Sequence, residues 1–117
     1  MQPLRHLHEP PVDVLAIDVD QVAPIEVGPG CLRRDLPSRE GVRIWVVDMA
    51  PGSTWPHVDQ HGLHGEDVFV LRGTMIDGGR AFGPGSFLQF APGSRHQPRT
   101  ETGVRLFGLN LLEGTAP

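Results

Sequence analysis

Apolar and polar positions alternate in short runs along most of this chain, and turn-forming residues separate the runs. Residues two apart on a strand share a face, so the alternation predicts half-buried strands. The runs fall at 13–19, 24–36 with a break at Gly28 to Gly30, 42–49, part of 54–61, 66–73, 74–76, 86–91 and 104–112. β-Branched and aromatic residues fill them, as a pleated surface prefers. No segment repeats its apolar positions every 3.6 residues, so no amphipathic helix is expected. The "DGG" at 77–79 predicts a tight hairpin, because Asp-Gly and Gly-Gly suit two positive φ angles. "GPG" at 83–85 and "APGS" at 91–94 predict further turns. About eight strands with frequent turns predict an all-β sandwich or small barrel.

The 15 glycines and 12 prolines are spread between apolar segments, so they mark turns and not a disordered linker. No repeat is visible. At 117 residues the chain suits one domain, with a core over about 13–112, an N-terminal arm at 1–12 and a tail at 113–117. Hydrophobic residues make up 38% without a long apolar run, so no transmembrane helix is expected. The N-terminus lacks the apolar stretch of a signal peptide, which makes a cytoplasmic location the expectation.

A net charge of -4 with scattered arginines argues against a nucleic-acid surface. The adjacent Arg33 and Arg34 read as a solvated strand edge or as interface charge. The single cysteine, Cys31, excludes an internal disulfide and any CxxC motif, and reads as a small buried hydrophobe. There is no lysine and no tyrosine. Schiff-base chemistry, a P-loop and a tyrosine acid or base are therefore excluded. Histidine, carboxylate, arginine, hydroxyls and one thiol remain, with any metal they hold.

The segment "WPHVDQHGLHGED" at 55–67 gathers His57, His61 and His64 with Asp59, Glu66 and Asp67. On a strand His57, Asp59 and His61 share a face, and two neighbours can converge on one ion. His57 and His61 lie roughly 13 Å apart along a straight strand, so reaching one ion together requires a bend at or after Asp59. Gly62 and Gly65 allow the following loop to return Glu66 to the same point. A Pro-Gly turn aims His96, in "APGSRHQP", back across the barrel as a fourth candidate. Imidazole and carboxylate together suit one divalent ion of zinc, iron, manganese, nickel or copper. Three or four protein ligands leave open positions, the catalytic pattern. His64 is expected to face solvent, and His6 and His8 are not expected to be ligands. Asp59 reads as a replacement ligand or as an acceptor that orients a histidine.

The segment 52–73, "GSTWPHVDQHGLHGEDVFVLRG", resembles the first cupin motif, with Glu66 and Gly73 at the motif's spacing. Four residues separate His61 from Glu66, and Asp59 stands where a histidine is usual. The segment 85–100, "GSFLQFAPGSRHQPRT", resembles the second motif through Gly85, Gly93 and His96, with Ala91 and Thr100 at positions where proline and asparagine are usual. "GEDVFVLRG" and "APGSRHQP" are similar to the cupin domain of ChrR-type anti-sigma factors. The resemblance covers about 28–112. It implies an antiparallel jelly-roll barrel, the double-stranded β-helix or RmlC-like fold, with a metal in its mouth. It also implies Glu66 and His96 as ligands, with two more from His57, Asp59 and His61, most simply His57 and His61. Dimers formed by sheet extension are common in the family, and the N-terminal strands here would supply the edge.

Fold does not fix function. The first expectation is a metal-dependent enzyme, dioxygenase-like by family analogy, acting on a small oxygenated molecule. Glu66 would serve as ligand or as base. Trp45, Val68, Val70, Phe90 and Leu106 would wall the pocket. The alternative is a non-catalytic sensor of a metal or small ligand, as the ChrR resemblance suggests.

Overall fold

The computed structural model describes residues 12–60 and 64–112, and at Asp59 and Gln60 the backbone alone. His61 therefore lies outside the described residues, as do the arm residues 1–11 and the tail 113–117. Among the described residues, ten strands follow in chain order. They are β1 (Ile25–Gly28), β2 (Cys31–Leu36), β3 (Val42–Met49), β4 (Asp59–Gln60) and β5 (Glu66–Gly73). Then come β6 (Met75–Asp77), β7 (Arg80–Phe82), β8 (Phe87–Phe90), β9 (Arg95–His96) and β10 (Val104–Leu111).

All pairings are antiparallel. Six strands form one sheet in the order β1-β2-β3-β10-β5-β8, and two pairs, β4-β9 and β6-β7, stand apart from it. The long strands β3, β5 and β10 lie side by side at its centre, where their alternation buries one face. Cys31, Trp45, Val47, Met49, Val68, Val70, Met75, Val104 and Leu106 form the core on that face. Each fully buried aliphatic side chain contributes about 1.5–3 kcal/mol relative to exposure. This is the all-β architecture expected from the alternation, in the jelly-roll form that the cupin resemblance implies.

Two short strands escaped the sequence pattern. β7 and β9 have three and two residues, too few for alternation to register. The turn before β7 is the one expected, with Gly78 at φ 56° and Gly79 at φ 77°. One expected strand is absent. Residues 13–19 form no strand, and a 3-10 turn at Val19–Gln21 follows them. Val14 and Leu15 are 73% and 74% exposed. Alternation gives a segment two faces but no neighbour to pair with, and here the sheet begins with β1.

The outer face of the sheet carries two features. Asp48 accepts from Arg34 at 2.6 Å and from Arg105 at 2.7 and 2.9 Å. Arg105 also reaches Asp20 at 2.6 Å, and Arg34 donates to the Val22 carbonyl, so both arginines tie the 3-10 segment to the sheet. The bond from Arg105 holds the Asp20 carboxyl below its usual value, and the two carboxylates raise Arg105. Beside this cluster runs an apolar row in strict register, Val46, Phe107, Phe69 and Phe87 on β3, β10, β5 and β8.

Candidate functional site

A cavity of about 230 Å³ opens on the inner face of the sheet. One wall comes from the six-stranded sheet, through Arg33, Arg43, Trp45, Val47, Glu66, Val68, Leu106 and Asn110. The other comes from Trp55, His57, Met75, His96 and Pro98. Glu66, His57 and His96 thus line one cavity. The backbone explains part of this convergence: β4 pairs with β9, with Asp59 opposite His96, so the 55–60 segment runs beside His96.

Glu66 is held by a relay. Trp45 donates from Nε1 to Asn110 Oδ1 at 2.7 Å, and Asn110 donates from Nδ2 to Glu66 Oε2 at 3.0 Å. An indole N–H only donates, so it fixes which end of the amide faces Glu66. Trp45 takes this position because its cross-strand neighbour is Gly108. A Cβ there would lie 1.9 Å from the indole. No residue other than glycine leaves that space open.

His96 is held from behind. Its Nδ1 lies 2.7 Å from Asp77 Oδ2, and its ring stacks on Phe90 at 4.1 Å between centroids. A carboxylate at Nδ1 selects the tautomer whose lone pair is on Nε2. That Nε2 is buried. His57 is exposed at the surface and sets its ring edge-to-face with Trp55 at 5.9 Å. His64 is exposed, as expected from its loop.

Of the expected wall residues, Trp45, Val68 and Leu106 line the cavity. Val70 is fully buried in the core, and Phe90 backs His96. Thr100, where the motif usually has asparagine, is 1% exposed and donates to the Thr74 carbonyl at 2.7 Å. Cys31 is buried, which pushes its thiol up, away from nucleophilic use.

Sequence reading missed Arg33, Arg43, Asp77 and Asn110. In the sequence Arg33 and Arg34 read as one pair, a solvated strand edge or interface charge. Successive strand residues face opposite ways, so Arg34 joins the outer cluster while Arg33 enters the cavity. A parity signal was present for Arg43, two residues before Trp45. Asn110 shares the parity of Leu106 on β10 in the same way.

The donor set has the chemistry of a divalent-ion site: a carboxylate held in place, an imidazole backed by a carboxylate and a second imidazole, around one cavity. Among the described residues, no three His, Cys, Asp or Glu groups stand close enough together to hold a metal ion. His61, the expected fourth member, is not among them.

The family model for the ChrR Cupin-like domain matches residues 12–110. Comparison with curated proteins gives no match. Among solved structures, the chain resembles an RmlC-like cupin from Shewanella frigidimarina, with a TM-score of 0.67 and 19% identity over 77% of this chain and 83% of that one. It resembles a chain of the Rhodobacter sphaeroides SigE complex with the anti-sigma ChrR, with a TM-score of 0.71 and 20% identity. That match covers 80% of this chain and 51% of the other. It also resembles a predicted oxalate decarboxylase from Thermotoga maritima, with a TM-score of 0.69 and 18% identity over 84% and 99% of the two chains. Identities this low speak to fold alone. The match over 12–110 goes further, and the chain belongs to the ChrR Cupin-like domain family of the cupin superfamily.

Proposed function

We propose that this protein binds one divalent metal ion in the cavity and acts there as an enzyme on a small oxygenated molecule. The carrying observation is that two acceptors from different walls are each held by a dedicated partner, Glu66 by Asn110 and His96 by Asp77. Held acceptors facing one cavity suit cation binding, because little freedom is lost on ligation. Glu66, His96 and His57 would hold the ion with His61, and Asp59 is the alternative to one of the histidines. The bound ion would supply a Lewis acid to an oxygen of the ligand. Glu66 Oε2, on leaving Asn110, is the group that accepts a proton from the ligand. Oxygen uptake by metal-supplemented protein, over a panel of diketones and phenols, tests the dioxygenase form of this reading. Uptake lost in Glu66→Gln supports it, and silence across the panel contradicts it.

The sensor reading draws on the likeness to the ChrR complex, in which a cupin-containing chain is found with a sigma factor. In that reading the same cavity binds without turnover, and silence in the oxygen assay alongside stoichiometric metal is its signature.

A specific observation also favours a homodimer formed through a face of the sheet. Phe107, Phe69 and Phe87 are 37%, 38% and 60% exposed in one in-register row. A bulge between β10 and β5 sets Asp67, Phe69 and Arg72 opposite Leu109, Phe107 and Arg105. Asp67 and Arg72 therefore stand at equal distances, about 6.6 Å along the strand, on either side of Phe69. A two-fold axis along the phenylalanine row brings each ring against its own copy and Arg72 of each chain over Asp67 of the other. That self-complementarity is what a two-fold interface requires.

A further inference from the structure

We infer that the ligand of this cavity carries a carboxylate, and that Arg33 and Arg43 receive it. The inference rests on the reading of the cavity as a ligand site and names the class of ligand. Arg33 on β2 and Arg43 on β3 both line the cavity. Their acidic partner among the described residues is Asp35, which is not part of the lining. Asp35 accepts from Arg33 at 3.0 and 3.3 Å, and Arg43 lies 3.9 Å from it, beyond hydrogen-bond distance. Among the described residues the two guanidinium groups thus share one carboxylate, and Arg33 holds its hydrogen bonds. The Arg43 fork, planar and always charged, is the shape that a carboxylate meets with two parallel bonds.

A second, independent observation points the same way. The Trp55 indole N–H is buried and has no acceptor among the described residues, and Trp55 lines the same cavity. A buried donor without an acceptor is costly, and a ligand oxygen that reached it would remove that cost. Arg43 stands beside its cross-strand partner Asn110, which bonds Glu66, and the apolar walls at Val47, Val68 and Leu106 lie further along the same strands. The volume of about 230 Å³ is below that of drug-sized pockets, which run to about 300–1,000 Å³. The ligand is therefore a small organic acid, its carboxylate at Arg33 and Arg43 and its apolar body against Val47, Val68 and Leu106.

Benzoate and benzamide, equal in shape and different in charge, are the probes. Calorimetric titration is run on the full chain, both metal-supplemented and chelator-treated, with each variant's fold checked by circular dichroism. Benzoate is expected to bind about tenfold or more tightly than benzamide. Arg43→Gln and Arg33→Gln are each expected to lower benzoate affinity by about tenfold while leaving metal content unchanged, with Arg43→Lys intermediate. Equal affinity for the two probes, no benzoate binding at millimolar concentration, or wild-type binding in folded Arg→Gln variants would overturn the inference. Arginine-dependent benzoate binding in a metal-supplemented protein that takes up no metal would leave it standing while refuting the metal reading, so the two fail separately.

Discussion

Asn110 donates a 3.0 Å hydrogen bond to Glu66, and its direction is set by the Trp45 indole on the other side of the same amide. The site carboxylate is therefore positioned from the core. Asn110→Leu leaves the Trp45 N–H without its acceptor, and is expected to cost about 1–3 kcal/mol of stability. It also frees Glu66, with metal affinity expected to fall about 10–100-fold. Asn110→Asp is the sharper variant. It keeps an acceptor for Trp45 but sets a second carboxylate against Glu66. A shared proton relieves that repulsion, so its stability deficit should be largest near neutral pH and shrink as the pH falls. Melting temperatures from pH 5 to pH 8 check this, and a deficit independent of pH contradicts the relay.

Acid should loosen the attachment of the N-terminal segment. Asp20 is exposed and tied to Arg105 at 2.6 Å, and its carboxyl is held below the usual value by that bond. A depressed carboxylate stabilises the fold above its unfolded value, near pH 4, and this contribution is lost as the pH falls through the folded value. Asp20→Asn should therefore melt somewhat below the wild type at pH 5 to 7, with the gap closing below about pH 4. Thermal melts across that range give the answer, and a gap that widens in acid would show the sign to be wrong.

The proposed two-fold contact makes a charge-exchange prediction. Asp67→Arg or Arg72→Asp alone places like charges over each other and should shift the protein to monomer in analytical ultracentrifugation. The double variant restores opposite charges and should restore the dimer. Phe69→Arg should remain monomeric in either background. A wild type that sediments as a monomer, or a double variant no better than the singles, removes this face as the dimer contact.

The strands and the barrel were legible because burial on one face leaves a period of two in the sequence. β3, β5 and β10 carry that period at full length. Residues 13–19 carry it too and form no strand, since the pattern is silent about pairing. His96 was legible from a motif, yet its partner Asp77 was not: the contact joins the β6–β7 hairpin to β9, and nothing local in either segment encodes it. Arg33 shows a different loss. Its neighbour Arg34 made the two look like one charged patch, although strand parity separates them by the thickness of the sheet.

The proposed site is a metal ion held by Glu66, His96 and the histidines of the 57–61 segment. Its most direct test is the metal content, by mass spectrometry, of protein purified after growth with zinc, iron, manganese, nickel or copper. His96→Ala, Glu66→Ala, His57→Ala and His61→Ala are measured alongside. Close to one ion per chain is expected in the wild type with at least one of these metals. Little or none is expected in folded His96→Ala and Glu66→Ala, and reduced content in His57→Ala or His61→Ala. No bound metal in the wild type under any supplement, or unchanged content in His96→Ala and Glu66→Ala, would contradict it.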